Sequence, residues 1–243
     1  MAPLTWKGHV FTDIEAIFFD KDGTLCDSVD YYKNLALRRA RLMDAKVPGV
    51  QGQLELAFGI ERGKLSPQGL MAIGSRYENT IAAAAYLAEM GLDWSEAKAI
   101  TENAFLEADA YLPFLQYAPL FSGVAALLQS LSSRGLKLAI VTADTQARTE
   151  TFVVAHKLPV DLALGTEPGD KDKPDPQLYL RACEKLGLSP GKTLLVGDNL
   201  VDLAFGRNAG AGAVVAVTTG LGKAEELVEA DLVLEHLDIL DVQ

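Results

Sequence analysis

Cysteine is nearly absent from this 243-residue chain. Cys26 and Cys183 lie far apart and form no C-x-x-C pair, which leaves neither a disulfide framework nor a zinc site to be read. Histidine is equally sparse: His9, His156 and His236 are separated by long stretches and no G-x-S-x-G occurs, so a serine-hydrolase triad has no support. No apolar run approaches the roughly 20 residues that span a bilayer, and the start, MAPLTWKGHVF, lacks the charged, then apolar, then small-residue order of a secretory signal. Positive charge is also in deficit, with 22 Lys and Arg against 33 Asp and Glu, a net charge of -11 and a pI near 4.7. Such a field repels phosphate backbones and anionic lipid, so neither nucleic acid nor a membrane surface is an expected partner. Any anionic substrate must be attracted locally. These absences predict a cytoplasmic protein, and nothing in the pattern specifies an oligomeric state.

Apolar residues, at 49%, are plentiful enough for a sizeable core in one large or two small domains. Two short apolar runs, IEAIFF before Asp20 and LKLAIV before Thr142, are continuous rather than alternating, as in strands covered on both faces. TLLVGD and AVVAV, from Ala213, repeat the pattern, with helical periodicity over residues 122 to 133, 145 to 157, 176 to 186 and 200 to 208. Strands and helices alternating at this spacing imply right-handed crossovers and a parallel sheet, an α/β fold. Residues 28 to 116 differ, with Ala- and Leu-rich stretches such as YKNLALRRARLM and NTIAAAAYLAEM and no convincing strand. The expected organisation is a core of residues 1 to 27 and 117 to 243, interrupted by a helical insertion over 28 to 116. Asp175 before Pro176 reads as a helix N-cap with Gly187 ending that helix, and Asp144 as a further cap.

Ligands of an open parallel sheet bind beyond the carboxyl ends of its strands, where the polar residues of this chain gather. Asp20-Lys21-Asp22-Gly23-Thr24-Leu25 places two carboxylates two positions apart. At ~4 Å and an effective dielectric near 20 their repulsion is about 4 kcal/mol, which a divalent cation would offset. A solvated Asp-rich turn is the alternative. A calcium loop fails, because it needs Gly sixth and Glu twelfth, whereas Gly23 is fourth and Tyr31 twelfth. Gly197-Asp198-Asn199, with Asp202 a helical turn further on, forms a second acidic cluster, readable as a helix cap or as metal ligands. Carboxylates without His or Cys beside them suit magnesium better than zinc or copper. Thr142 and the following amides could hold phosphate oxygens, and Lys173 precedes a helix, kept extended by Pro174. Gly187-Leu-Ser-Pro-Gly191-Lys192-Thr193 imitates a phosphate-binding P-loop but is one residue short and precedes a strand, so it reads as a helix end and turn. Arg38, Arg39, Arg41, Arg62, Lys64 and Arg76 bring positive charge into the insertion, read as a solvated helix face, with attraction of an anionic substrate as the alternative.

Taken in order, Asp20-x-Asp22-Gly-Thr-Leu, Thr142, Lys173-Pro and Gly197-Asp198-Asn199-x-x-Asp202 resemble motifs one to four of the haloacid dehalogenase-like hydrolases. The stretch GDNLVDLAFGRNAGA follows that family's extended fourth motif closely, and the insertion is similar to its helical C1 cap. The resemblance spans roughly residues 12 to 27 and 117 to 243. It implies a Rossmann-like core with an all-helical cap and a magnesium-dependent phosphatase acting on a small phosphorylated metabolite. It implies further that Asp20 is the nucleophile that becomes an aspartyl phosphate, and that Asp22 is general acid and then base. Asp20, the backbone carbonyl of Asp22 and the carboxylate of Asp198 would ligate magnesium, with Asp202 and Asn199 behind them, and Thr142 and Lys173 would hold the phosphoryl group. Cap movement is expected about hinges near residues 26 to 29 and 115 to 119. A β-phosphoglucomutase-like mutase and a catalytically silent binding module share the fold. The intact Asp22 favours phosphate-ester chemistry over dehalogenation, and the cap start DSVDYYKNLA departs from the phosphoglycolate phosphatase pattern.

Overall fold

A computed structural model describes residues 3–237, arranged in two compact units. One runs to Asp27 and resumes at Leu120; the other is Ser28–Pro119.

The first unit opens with an antiparallel hairpin, β1 (Leu4–Trp6) and β2 (His9–Phe11), before β3 (Ala16–Phe19) enters the main sheet. All four residues of β3 are fully buried, which is why its sequence is apolar without alternation. Within the second unit come α1 (Val29–Asp44), α2 (Gln51–Ala57), the two-residue strands β4 (Ile60–Glu61) and β5 (Lys64–Leu65), then α3 (Leu70–Ile73), α4 (Arg76–Glu89), α5 (Trp94–Tyr111) and α6 (Phe114–Tyr117). The β4–β5 ribbon is the one strand feature of a segment expected to be wholly helical, and two residues per strand are too few to leave a period in the sequence.

The chain returns to the first unit through α7 (Val124–Ser133), β6 (Lys137–Thr145), α8 (Gln146–His156), β7 (Leu162–Thr166), α9 (Gln177–Leu186), β8 (Thr193–Gly197), α10 (Leu200–Ala209), β9 (Ala213–Val217) and β10 (Leu232–Leu234). The six strands of its main sheet are all parallel, in the order β10-β9-β8-β3-β6-β7. Starting from the central β3, the chain builds outward through β6 and β7, then returns to β3's other side for β8, β9 and β10. That is the doubly wound strand order, and it puts the topological switch point between β3 and β8. Phe19, the last residue of β3, pairs with Val196 of β8 and Ile140 of β6; β8 ends one residue later and β6 continues to Thr145. On one face of the sheet, Phe18, Leu195 and Val214 pack with Tyr179 of α9 and Phe205 of α10. The Tyr179 hydroxyl, buried in that layer, meets Thr193 Oγ1 at 2.6 Å.

Cap geometry departs from expectation in two places. Pro176, one residue later than expected, is the N-cap of α9, while Asp175 Oδ1 accepts from Gln177 N at 3.0 Å. Thr145, not Asp144, caps α8 by accepting from Arg148 N at 3.4 Å, because the Asp144 carboxylate is committed elsewhere. Gly187 closes α9 in a left-handed conformation as expected, and the P-loop imitation dissolves into that cap, a short 3-10 turn at Pro190–Lys192 and the start of β8.

In the second unit α1, α4 and α5 bury an alanine-rich layer that includes Ala36, Ala40, Ala83, Ala84 and Ala108. A complete capping box starts α4, with Ser75 and Glu78 bonding each other's backbone. Arg39 is not on a solvated face: it is buried, stacked 3.9 Å from the Phe105 ring and paired with Asp109 at 3.1 Å. Arg76 joins the same Asp109, and Arg38 stacks on Tyr111 at 4.2 Å. Much of the insertion's positive charge is therefore neutralised within it.

Candidate active site

Asp20 is the first residue beyond β3, its N–H donating to Val196 O across the switch point at 2.9 Å. The chain then folds back at once: Leu25 and Cys26 both donate to Lys21 O, and Gly23 N donates to Cys26 O. Gly23 has φ +79°, a conformation costly for any residue with a Cβ, and an added Cβ would also lie 2.6 Å from Asp198 Oδ2. The glycine of the D-x-D-G segment thus lets the loop turn tightly against the neighbouring strand's aspartate.

Asp20, Asp198 and Asp202 each offer a carboxylate oxygen within 4.8 Å of the others, and all three are buried. Lys173 Nζ enters the group, 2.8 Å from both Asp20 Oδ1 and Asp202 Oδ1 and 4.9 Å above the Phe205 ring. Three carboxylates around one ammonium leave the cluster with excess negative charge when ionised. Burial pushes the Asp20 carboxyl above its ordinary value, Lys173 pulls it back and Asp202 pushes it further up. Asp198 is raised well above the ordinary value by burial, then by Asp202 and Asp20. Burial works against the Lys173 ammonium, but Asp20 and Asp202 outweigh it and hold its pKa above the ordinary lysine value. A buried group of hard oxygen donors with uncompensated negative charge fits a small divalent cation, and magnesium suits oxygen-only donors.

Asp202 sits among these carboxylates, reaching back to accept from Asp198 N at 3.3 Å. Asn199 caps α10, its Oδ1 accepting from Val201 N and Asp202 N at 2.9 and 3.1 Å, and its Nδ2 donates to Asp198 Oδ1 at 3.3 Å. Thr142 is buried where the regular pairing of β6 with β7 breaks after Val141, although the strand itself continues to Thr145. Its Oγ1 accepts from Asp144 N at 3.2 Å.

The Asp22 carboxylate faces a different partner, meeting Lys21 Nζ at 2.7 Å. Lys21 is fully buried and also lies 3.0 Å from Asp144, which Arg148 approaches at 3.2 Å. Burial raises the Asp22 pKa, Lys21 lowers it and Asp144 raises it, with an upward net shift. Sequence reasoning passed over Lys21 as the variable residue of its motif, although a lysine two positions after a buried apolar strand was a legible signal. It also missed the turn after β9. There Thr219 Oγ1 donates to Gly23 O at 2.7 Å, Leu221 N donates to Asp198 Oδ2 at 3.2 Å, and a Cβ on Gly220 would fall 1.9 Å from that same oxygen.

Comparison with known proteins identifies the family and its fold. The profile of the haloacid dehalogenase-like hydrolases matches residues 14–210. The N-acetylmuramic acid 6-phosphate phosphatase of Pseudomonas putida is 28% identical over 228 residues, 92% of each chain. A phosphoglycolate phosphatase of Thiobacillus denitrificans is 34% identical over 114 residues, a match spanning 46% of this chain and half of that one. The crystal structure of a predicted phosphoglycolate phosphatase from Haemophilus somnus shares the fold at a TM-score of 0.70, with 23% identity over 93% of this chain and 96% of the other. With Asp20, Lys173, Asp198 and Asp202 gathered at one switch point and a profile match over residues 14–210, this chain belongs to the haloacid dehalogenase-like hydrolases.

Proposed function

We propose that the protein is a magnesium-dependent phosphatase that transfers the phosphoryl group of a small phosphorylated metabolite to Asp20 and then to water. The observation that carries this reading is Lys173 held 2.8 Å from Asp20 inside a buried, net-negative group of carboxylates at the sheet's switch point. The phosphatase names of relatives matched along nine-tenths of the chain support it.

Asp20 and Asp198, with Asp202 beside them, would hold the magnesium. When bound, that ion would neutralise charge on the carboxylates and on the transferring phosphoryl oxygens. An Asp20 carboxylate oxygen attacks phosphorus, forming an acyl phosphate as the bond to the leaving alcohol oxygen breaks. Asp22, protonated at this stage, gives its proton to that oxygen; burial shifts its carboxyl toward the protonated form, against the pull of Lys21. As a carboxylate, Asp22 then takes a proton from the water that attacks phosphorus, releasing phosphate and restoring Asp20. Lys173 favours the ionised form of Asp20 and orients it between steps, and its charge neutralises the equatorial oxygens. The Thr142 oxygen accepts from Asp144 N, leaving its hydroxyl hydrogen to donate to a phosphoryl oxygen.

The test is phosphate release from p-nitrophenyl phosphate and a panel including N-acetylmuramic acid 6-phosphate, phosphoglycolate and pyrophosphate, with magnesium, with EDTA and with Asp20→Asn. Magnesium-dependent release that Asp20→Asn abolishes is the expected result. A sugar phosphate that isomerises without releasing phosphate would replace the hydrolase by a mutase, and a folded protein inert to every compound would leave a silent binding module.

A further inference from the structure

We infer that Lys21 is a positioning residue for Asp22, acting through a buried Asp22–Lys21–Asp144 bridge that ties the turn after β3 to the carboxyl end of β6. The inference rests on the role proposed above for Asp22 as general acid and base.

Lys21 commits its ammonium to two carboxylates, Asp22 and Asp144. Its side chain is fully buried, whereas 18% of the Asp22 side chain remains exposed. A buried ammonium is expensive to desolvate and is retained where carboxylates compensate it. Here the compensation comes from two separate segments, the turn after β3 and the end of β6: Asp22 Oδ2 at 2.7 Å and Asp144 Oδ2 at 3.0 Å, with the ammonium 5.4 Å from the Phe152 ring of α8. Asp144 is itself anchored, since Arg148 stands 3.2 Å from its Oδ1 one helical turn away. The same residue donates its backbone N–H to Thr142 Oγ1.

One bridge therefore fixes two things. It holds one oxygen of Asp22, which restricts the rotation of a carboxylate whose task requires a defined direction toward the leaving group. It also links Asp22, through Asp144, to Thr142, the residue proposed to hold the phosphoryl group, although one follows β3 and the other belongs to β6. A proton donor misplaced by about 1 Å can cost on the order of 10²-fold in rate, so such a constraint has catalytic consequence. Lysine is suited to the task because a strongly charged partner holds a carboxylate in place more firmly than a neutral donor does.

The test is the dependence of kcat/KM on leaving-group acidity, measured with aryl phosphates from p-nitrophenyl to phenyl phosphate and with an alkyl phosphate, for wild type, Lys21→Met, Asp144→Asn and, as reference, Asp22→Asn. A good leaving group needs no proton, so Lys21→Met should lower kcat/KM for p-nitrophenyl phosphate by less than about tenfold and for the alkyl ester by about 10²-fold or more. Asp144→Asn, which keeps size and fold, should show the same steepening at smaller amplitude, so the result does not depend on Lys21→Met folding. Equal losses across the whole series, or none, in Asp144→Asn and in folded Lys21→Met would overturn the positioning role while Asp22→Asn still steepens it. A flat series in Asp22→Asn would instead remove the general-acid reading of Asp22, and the inference with it.

Discussion

Lys173 Nζ lies 2.8 Å from Asp20 Oδ1, joining residues 153 apart in the chain, and is held equally close to Asp202. The contact exists because β8 pairs beside β3, which brings α10 and its Asp202 to the point where Asp20 leaves the sheet. Removing the ammonium leaves three buried carboxylates to repel one another. Lys173→Met should therefore lower kcat/KM by about 10²-fold or more and destabilise the metal-free protein by roughly 3 kcal/mol. Steady-state kinetics and urea unfolding in EDTA read the two effects separately. Wild-type stability with reduced activity would show that the carboxylates do not depend on Lys173 for their burial.

Gly220 offers a steric prediction. A Cβ there would lie 1.9 Å from Asp198 Oδ2, so Gly220→Ala must displace either the turn after β9 or the carboxylate. The magnesium concentration for half-maximal activity should rise at least about tenfold, as for loss of a group that orients a metal ligand. Gly191→Ala, where a Cβ would meet nothing within 4 Å, is the control and should leave magnesium dependence unchanged. Equal behaviour of the two variants would mean Asp198 is not fixed by its contact with that turn.

Within the helical insertion, Asp109 compensates the buried Arg39 and also binds Arg76. Burial already weakens the hold of Arg39 on its proton, and Asp109 opposes that shift. Asp109→Ala should cost about 3 kcal/mol or more, because it strands a buried charge. Replacing Arg39 by Met together with Asp109→Ala should recover part of the loss. Thermal unfolding of both variants checks this, and a double variant no more stable than Asp109→Ala alone would contradict it.

The expected architecture was legible where burial is complete. β3, β6, β8 and β9 lie inside the sheet, and their continuous apolar runs declare it. The strands at its edges escaped reading: β7 is as long as β8 but only partly buried, and β10 has three residues, so neither leaves a continuous apolar run. Within the site, the motifs mark Asp20, Thr142, Lys173 and Asp198 at strand ends, but partner choice is a tertiary matter. Asp144 had the local look of a helix cap, and Lys21 draws its carboxylate away from that task. Arg39 looked solvated because arginine usually is, and only the packing of α5 against α1 supplies the Asp109 that permits its burial.

A pH effect follows from Asp170, three residues before Lys173 in sequence. Arg181 bonds both Asp170 oxygens at 2.7 Å, and that hydrogen bonding lowers the Asp170 pKa below the ordinary carboxylate value. A depressed folded-state pKa contributes stability that is complete above the unfolded value, about 3.9, and is lost as pH falls through the folded one. The stability gap between wild type and Arg181→Met should hold steady from pH 7 to about 5 and shrink below about pH 4. Urea midpoints across that range measure it, and a gap unchanged into strong acid would exclude Asp170 as its source.

The most direct measurement of the central claim is chemical trapping of the phosphoryl group on the enzyme. Protein mixed with magnesium and an active phosphate ester, acid-quenched within one turnover and digested, should yield a phosphorylated peptide carrying Asp20, labile to hydroxylamine and absent from Asp20→Asn. Phosphate release at the wild-type rate by Asp20→Asn, or turnover with no label on Asp20 at any time, would contradict the account.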